Sequence, residues 1–387
     1  MNSPSILERV KAAIRGWKIG RGVVEPWERD YGHDDSTYSP AEYGDYLATS
    51  NAVYTCCDIR ANALTKIRFK VYKQSQGKRV EVMDSPINDL LRLVNPYWSM
   101  NRLLNMSEKC MGVWGKCFWA CERGESGKEA PREIWWMRPD RVRVLPDPVK
   151  YIKGFTYTPI NGEKPIYFSW DEVIWLRYPN PLDEYGSLSP MAAARLPADI
   201  ASSAGKTNKK IFDNGYMMGG LITPPAGMVL QPDQAEELEK ALDNRFKGVD
   251  KAHRWGVLRY EGQLKELGIT PKDAEFLGAL SWSLEEIARA YGVPLDMIGG
   301  QRTYENVKSS DRALWMRTMT PEAEFISTEL TEQLLPMFPA GSGDEIAADY
   351  SRVEALQEDQ KVIWDLEKGQ IVVGAITINE WRKSKGM

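Results

Sequence analysis

The stretch from residue 269 to 338 constrains the fold most, because it contains the pattern of two amphipathic helices joined by a polar loop. Thr270 occupies an N-cap position, and Pro271 follows at the first helical position. Gly292 and Pro294 predict the end of this first helix, since glycine accepts the left-handed cap and proline cannot continue the helix. Apolar residues between these limits recur at spacings of three and four, which predicts one buried face: Ala274, Leu277, Leu280, Leu284, Ile287, Ala288 and Tyr291.

After the polar loop, we expect the chain to become helical again near Lys308, with a kink at Pro321. The apolar positions of this second helix extend to its end: Phe325, Ile326, Leu330, Leu334 and Leu335. A helical hairpin in an ordinary globular protein would show the same periodicity. The pattern therefore predicts local structure and does not by itself identify a function.

Length and composition place the chain among globular proteins. With 387 residues it can bury a substantial core and is expected to hold two or three domains. No apolar run approaches the roughly 20 residues of a membrane span, and no signal peptide opens the sequence. The 50 basic and 54 acidic residues leave a net charge of −4, whereas tight binders of duplex DNA are usually basic.

The residues that carry chemistry in enzymes do not form a recognisable motif here. His33 and His253 lie in no nucleophile motif. The string SSAGKTNKK resembles a phosphate-binding loop, but Ile200 stands where such a loop needs its first glycine. The cysteines are odd in number and lack a CxxC pair, which favours buried thiols over a disulfide framework or a zinc site: Cys56, Cys57, Cys110, Cys117 and Cys121.

Residues 49–188 are predicted to form an α+β domain of mostly antiparallel strands. Val53, Cys57, Ala61 and Leu64 trace one helical face. The alternation of Ile67, Phe69 and Val71 with Arg68 and Lys70 then predicts a half-buried strand, with a return strand at Val80 and Val82. Further strands are expected around 117–121, 133–137, 141–145, 151–157 and 173–178.

Tryptophans cluster in this domain and leave two interpretations. Interleaved with Arg138, Arg141 and Arg143, they could stack on the bases of a single strand. Large aromatic residues in strands more often belong to a core or a subunit interface, and we favour that interpretation. The tryptophans concerned are Trp114, Trp119, Trp135, Trp136, Trp170 and Trp175.

Residues 189–215 are predicted to form one long helix, and residues 216–268 a small α/β unit. In that unit we expect a strand LITP, a helix at 232–247, a strand WGVLRY and a turn at Glu261-Gly262. It also contains a basic cluster of Arg245, Lys247, Lys251 and Arg254, beside His253. The cluster could contact phosphates or pair with acidic residues of a neighbouring subunit, and the sequence does not separate these.

The two ends of the chain carry weaker patterns. Leu7, Val10, Ile14 and Trp17 recur at helical spacing among cations, which fits either an arm that docks on a neighbour or membrane surface or a frayed surface helix. At the other end, residues 339–344 are expected to be a linker before an acidic helix within 344–367. Thr377 and Glu380 form a capping box, and this final motif leads us to expect a terminus close to the natural one.

Three strings of the helix–loop–helix stretch resemble the matching part of tailed-bacteriophage portal proteins, the head–tail connectors of siphovirus-type phages: EEIARAYGVPLDMIGG, QRTYENV and TMTPEAEFISTELTEQLL. The resemblance continues in ANALTKIRFKVYK, LLRLVNPYWS, RPDRVRVLPD and DEVIWLRYPNPLDEYGSLSPM, and covers roughly residues 50 to 387.

The resemblance implies a portal-type α+β fold with a specific division of the chain. The parts are an N-terminal arm (1–48), a wing (49–188), a first stem helix (189–215), a clip (216–268), a second stem helix (269–292), a channel loop (293–307), a wing helix (308–343) and a short helical crown (344–387). The channel-loop residues would be Gln301, Arg302, Thr303, Tyr304, Asn306 and Lys308, making weak contacts to the DNA backbone that carry no sequence preference.

The resemblance also implies a structural, non-enzymatic role. About twelve copies would form a ring at the unique capsid vertex of a virion, assembled in the host cytoplasm. Double-stranded DNA would pass through the ring during packaging and ejection. The implied partners are the terminase large subunit, the major capsid protein and head–tail adaptor proteins, with no cofactor, metal or membrane. An acidic crown could repel DNA, or could be an ordinary solvent-facing helix.

Two alternatives belong to other classes. A nucleic-acid-processing enzyme or accessory factor of phage packaging would need a phosphate loop or a cluster of metal-binding carboxylates, and the first is absent from the sequence. A monomeric module that binds peptide or nucleic acid would show a basic face and would form no ring.

Overall fold

The computed structural model describes residues 40–75, 78–124, 129–147, 149, 151–160, 164–213, 220–223, 233, 236, 240, 263–266, 276–299, 304–339 and 342–384. Two compact units divide the chain. The first is formed by the residues up to Ala194 together with those from Ala288 onward, and the second is Arg195–Ile287. The amphipathic helix predicted from Leu7 to Trp17 lies outside the described residues.

Helices and runs of strands follow one another along the chain, as the α+β prediction requires. The described helices are α1 (Pro40–Thr49), α2 (Asn51–Leu64), α3 (Pro86–Arg92), α4 (Met100–Trp114), α5 (Pro190–Asp213), α6 (Phe276–Ala290), α7 (Leu295–Ile298), α8 (Tyr304–Leu314), α9 (Thr320–Glu329), α10 (Glu354–Val372) and α11 (Ile378–Ser384). Helix α2, predicted from its apolar face, begins at an N-cap whose Ser50 hydroxyl accepts from the Val53 amide.

The strands of the first unit form three small sheets and a hairpin, with every described pair antiparallel. The bounds of these strands are β1 (Arg68–Ser75), β2 (Lys78–Glu81), β3 (Leu93–Asn95), β4 (Trp98–Ser99), β5 (Lys116–Glu122), β6 (Glu133–Met137), β7 (Val142–Asp147), β8 (Tyr151–Tyr157), β9 (Ile166–Ser169), β10 (Val173–Arg177) and β13 (Glu345–Asp349). The sheets have the orders β13-β1-β2, β10-β5-β6 and β7-β8-β9, and β3 pairs with β4. The predicted α+β fold with mostly antiparallel strands is confirmed.

An aromatic core joins the sheets β10-β5-β6 and β7-β8-β9. Phe118 stacks on Trp175 with ring centroids 5.9 Å apart, and Phe155 meets Trp175 edge-on at 5.7 Å. These contacts, together with the burial of Trp119 and Trp135, support the core interpretation of the tryptophan cluster. Trp170 differs, because it remains 59% exposed.

Strand β13 was missed by the sequence analysis, which predicted only a helix within residues 344–367. It pairs with β1 in the register Arg68↔Asp349 to Tyr72↔Glu345, so it belongs to the sheet of the first unit. Lys70 Nζ lies 3.1 Å from both Glu81 and Asp349 and joins the outer strands. Five residues give too short a pattern to reveal a partner strand so far away in the chain, and the helical part begins only at Glu354.

The second long helix is interrupted by wide turns rather than by a simple kink at Pro321. A π-helical turn, Trp315–Met319, separates α8 from α9, and a second one, Leu330–Leu334, follows α9. Pro321 lies in the first turn of α9, directly after the first π turn. The wide turn accommodates a residue that has no N–H and whose ring would clash with the carbonyl four positions earlier.

The second unit contains parts of α5 and α6 and a strand pair. Helix α5 confirms the long helix predicted over 189–215. The pair consists of β11 (Gly220–Thr223) and β12 (Gln263–Glu266), which are antiparallel. The predicted strand WGVLRY, at 255–260, lies outside the described residues, and β12 follows the predicted turn at Glu261-Gly262. Residues 233, 236 and 240 have helical backbone within the predicted helix 232–247.

A buried network of charge in the first unit connects the end of the α6 segment with three other elements. Arg60 on α2 is 5% exposed and donates through all three guanidinium nitrogens. Its Nε lies 2.7 Å from Glu108 Oε1, its Nη1 lies 2.8 Å from the Tyr291 carbonyl oxygen, and its Nη2 lies 2.9 Å from Tyr178 Oη and 3.3 Å from Glu322 Oε2. Tyr178 Oη in turn donates to Glu322 Oε2 at 2.6 Å.

Two carboxyl groups share the single Arg60 cation in this network. Glu108 Oε2 and Glu322 Oε1 are buried without a hydrogen-bond partner. Burial raises the pKa of Glu322 to about 8, and the nearby Glu108 carboxylate acts in the same direction while Arg60 opposes it. We therefore infer that burial beside Glu108 favours the protonated form of Glu322.

Among the described helices, none combines the length and the apolar character that a membrane crossing requires.

Gly115 is expected to be irreplaceable at the end of α4. Its φ is +67°, its N–H donates to the Met111 carbonyl, and a Cβ there would lie 2.9 Å from the Ser189 backbone nitrogen. We expect Gly115→Ala to lower the free energy of unfolding by about 1–3 kcal/mol, measured in urea at fixed protein concentration. Gly369→Ala is the matched control, since it adds a methyl group to open space within α10 and should stabilise by about 0.5–1 kcal/mol. An equal change in the free energy of unfolding for Gly115→Ala and Gly369→Ala would contradict a special requirement for glycine at position 115.

The pKa of Glu322 predicts a pH-dependent stability. The folded state keeps a proton that the unfolded state releases above its ordinary pKa of 4.5, so this contribution is full below that value and is lost as pH rises towards about 8. Between pH 5 and 8, the wild-type stability should fall relative to that of Glu322→Gln, with a slope of at most about 1.4 kcal/mol per pH unit. Urea unfolding over this range measures the slope. Glu324→Gln, exposed on the same helix, should keep the wild-type slope.

Candidate functional site

The candidate site is the turn between α6 and α8, which was predicted as the channel loop. Tyr291 anchors its beginning: the side chain is buried, Oη donates to the Gly112 carbonyl at 3.1 Å, and its own carbonyl accepts from Arg60. Gly292 follows with a φ of +64°, as predicted for a left-handed helix end. Burial in apolar surroundings raises the pKa of the Tyr291 hydroxyl well above its ordinary value, so it acts as a neutral donor.

Two hydroxyl groups hold the turn from the second helix. Thr318 Oγ1 donates to the Gly292 carbonyl at 2.7 Å, and Ser310 Oγ lies 3.1 Å from Asp296 Oδ2 on the short helix α7. The Val293 amide also donates to the Ala288 carbonyl at 3.0 Å, and its side chain is buried. The backbone from Tyr291 to Asp296 is therefore fixed at several points before the chain reaches residue 300.

The structure shortens the predicted loop. Residues 293–307 were expected to be non-helical, yet α7 lies within them and α8 begins at Tyr304, four residues before Lys308. After Gly300 the sequence contains no glycine or proline until Pro321, and Glu305 near the helix start complements the helix dipole. The loop prediction gave too much weight to polar residues, which are also typical of the exposed face of a helix.

The predicted channel residues thus fall into two groups. Gln301, Arg302 and Thr303 lie outside the described residues. Tyr304, Asn306 and Lys308 belong to α8, and the side chains of Asn306 and Lys308 are exposed.

The structure adds two cations that the sequence analysis did not select. Arg312 lies one helical turn after Lys308, at a spacing of four residues, and Arg317 follows in the π turn. All three side chains are exposed, whereas Leu314 and Trp315 between them are buried. The spacing Lys308–Arg312 could have revealed this face, because residues four apart lie on one side of a helix. Exposed cations can approach phosphates without reading bases.

The second predicted basic cluster cannot be placed by the structure, since Arg245, Lys247, Lys251 and Arg254 lie outside the described residues. The SSAGKTNKK string lies within helix α5, where Gly205 and Lys206 are exposed. This confirms that the string is helical and forms no phosphate loop.

The described residues contain no group of three or more His, Cys, Asp or Glu side chains that could hold a metal ion. The five cysteines are buried free thiols, as the sequence analysis expected. Burial raises the pKa of the Cys56, Cys57 and Cys121 thiols to about 12, so they are neutral at physiological pH. His33 and His253 lie outside the described part of the chain.

Comparisons with known proteins agree on one family. The family model for phage portal protein matches residues 51–386. A protein of Rickettsia bellii with no assigned function is 26% identical over 324 residues, which is 81% of this chain and 80% of the relative. The portal protein of Enterobacteria phage HK97 is 21% identical over 399 residues, 97% of this chain and 88% of the relative.

The fold is also similar to that of solved structures. A chain in the neck of an empty gene transfer agent particle, computed with C6 symmetry, superposes with a TM-score of 0.67 at 25% identity and covers 93% of this chain and 95% of its own length. The family model and the solved structure therefore agree on one fold. The order of helices and strands and the helix–turn–helix around Gly292 are consistent with it. This chain belongs to the phage portal protein family and is a structural protein rather than an enzyme.

Proposed function

We propose that copies of this chain form a closed ring at the unique vertex of a capsid, through which double-stranded DNA is packaged and ejected. The observation that carries the proposal is the match of the portal family model to residues 51–386. The similarity to a chain in a particle neck with C6 symmetry supports a ring, since that symmetry is compatible with six or twelve copies. We propose about twelve copies, the number implied by the portal resemblance.

Within this ring we propose that the α+β body of the first unit is the wing, and that α5 and α6 form the stem. Residues 216–268 would be the clip, and Arg245, Lys247, Lys251 and Arg254 would contact either DNA phosphates or a neighbouring subunit there. The crown would begin at Glu354, because β13 before it pairs with the wing strand β1. The terminase large subunit, the major capsid protein and head–tail adaptor proteins are the proposed partners, with assembly in the host cytoplasm.

The turn after Gly292 and the exposed face of α8 would line the channel. Its start is held by Arg60, Thr318 and Ser310, which supports a defined position for this segment. Asn306, Lys308, Arg312 and Arg317 would make weak contacts with passing phosphates. The chain as a whole is slightly acidic, with a net charge of −4, which suits DNA that must slide rather than bind.

The ring itself can be tested by native mass spectrometry of the purified full-length chain, with negative-stain images. We expect a closed ring of about twelve copies with a central hole. A compact dimer that cleaves DNA in the presence of a divalent metal would contradict the proposal and would restore the alternative of a nucleic-acid-processing enzyme.

A second test addresses the channel residues. We expect Arg302→Ala combined with Lys308→Ala to leave ring formation intact and to lower the yield of DNA-filled particles about tenfold, because two contacts to phosphates are lost. The measurement is complementation of a portal-deficient phage, with rings counted in parallel. Arg92→Ala is a control, since it removes a cation that is 82% exposed on the α+β body and should package normally. Collapse of the ring in the double variant would mean that the channel assignment is wrong.

A further inference from the structure

The first unit contains a cleft of about 850 Å³ that the proposed function does not use. Its walls come from β8, from β10 with Trp170 and Asp171 before it, and from the segment that begins at the last residue of α9, Glu329, and ends at Met337. Trp170 and Tyr151, with 59% and 43% of their surface exposed, form an aromatic wall next to the buried rings of Trp175 and Phe155. A volume of this size accommodates several apolar side chains.

The aromatic wall is held rigidly by its own hydrogen bonds. Tyr151 adopts a φ of +69°, unusual for a residue with a side chain, and its Oη donates to the Glu184 carbonyl at 2.6 Å. Arg177 Nη2 donates to Tyr151 Oη at 3.0 Å, and the guanidinium carbon lies 4.2 Å from the centre of the Trp175 ring. Gln333 accepts from the Trp175 amide and donates to its carbonyl. The cleft is therefore preformed, which lowers the entropic cost of filling it.

The charges of the cleft leave it slightly acidic. Arg123 pairs with Asp171 at 3.2 Å, and Arg177 directs its donors to a carbonyl and a hydroxyl oxygen. Glu329 and Glu332 have no ion pair with any described residue. Burial raises the pKa of Glu329, while the hydrogen bond from Gln333 and the nearby Arg177 act in the opposite direction. An occupant with cations beside an apolar ridge would compensate these two carboxylates and cover the aromatic wall.

The N-terminal sequence has this chemistry. Between residues 7 and 18 it carries the apolar positions Leu7, Val10, Ile14 and Trp17. Four cations, Arg9, Lys11, Arg15 and Lys18, stand against one carboxylate, Glu8. The segment thus combines an apolar ridge, which suits the aromatic wall, with an excess of positive charge, which suits Glu329 and Glu332.

A series of contacts links α1, at the start of the described chain, to the wall of the cleft. Gly44 on α1 packs against the Trp114 ring, since a Cβ there would lie 3.1 Å from it. The next residue, Gly115, accepts from the Tyr178 amide at 2.8 Å, and Tyr178 directly follows Arg177 of the cleft wall. The 21 residues from 19 to 39 can span roughly 70 Å when extended, so the tether reaches easily. A tether of this kind also gives a high effective concentration.

We propose that residues 7–18 of the chain dock into this cleft of the same chain, with Ile14 and Trp17 on the aromatic wall and the cations facing Glu329 and Glu332. The docked segment would cover the exposed parts of Tyr151 and Trp170. This inference concerns the single chain and does not depend on ring formation.

The first test uses a fluorescent peptide of residues 5–18 and the protein lacking residues 1–18. We expect saturable binding by fluorescence anisotropy, weakened about tenfold by the double variant Glu329→Lys/Glu332→Lys because two attractive contacts become repulsive. The control variant Asp89→Lys/Glu324→Lys reverses two exposed carboxylates away from the cleft and should bind as the parent does. No binding, or an equal loss in both variants, would overturn the proposal.

The second test decides between the same chain and a neighbour. In the full-length protein, Ile14→Cys with Glu332→Cys places one thiol on the segment and one at the exposed rim, while the natural cysteines are buried. We expect a 14–332 disulfide within a monomer band on a non-reducing gel, and no link for Ile14→Cys with Lys78→Cys. A 14–332 link that joins two chains, or no 14–332 link at all, would overturn docking within the chain.

Discussion

The contact on which the rest of the first unit depends is the buried guanidinium of Arg60. It joins α2, α4, the residue after β10, the end of the α6 segment and α9 through Glu108, Tyr178, Tyr291 and Glu322. A buried cation is costly unless its donors are satisfied, and here all three nitrogens have acceptors. Elements far apart in sequence must therefore come together before this charge can be buried, which couples the helix–turn–helix to the α+β body.

That coupling explains how a polar turn can have a defined position. Arg60 fixes the Tyr291 carbonyl, and the hydroxyl groups of Thr318 and Ser310 fix the next few residues from the second helix. The wide π turn before Pro321 brings Thr318 into the same stretch without a break in the helix. The exposed side chains at the start of α8 therefore follow a backbone that packing holds in place.

Other charged residues of the first unit form ion pairs within the body or are exposed at its surface. Lys70 pairs with Asp349 and Arg123 with Asp171 within the body. Lys308, Arg312 and Arg317 are exposed on one helical segment. Because the total is close to neutral, any attraction for DNA must come from such local sets of residues rather than from the whole surface. The acidic cleft with Glu329 and Glu332 is a second local feature. Its negative charge is complementary to the positive charge of the N-terminal residues 7–18.

The sequence by itself determined the secondary structure of most of the body, the end of α6 at Gly292, the burial of the cysteines and the family resemblance. These features depend on local periodicity, capping and the special conformations of glycine and proline. The sequence did not reveal that Arg60 is buried, that β13 joins β1, or that Arg312 and Arg317 extend the cationic face past Lys308. The first two require partners more than 40 residues away, such as Glu108 at 48 positions and Glu322 at 262. Only the tertiary structure decides such contacts, because a charge or a short strand gains its stability from the groups that folding brings beside it.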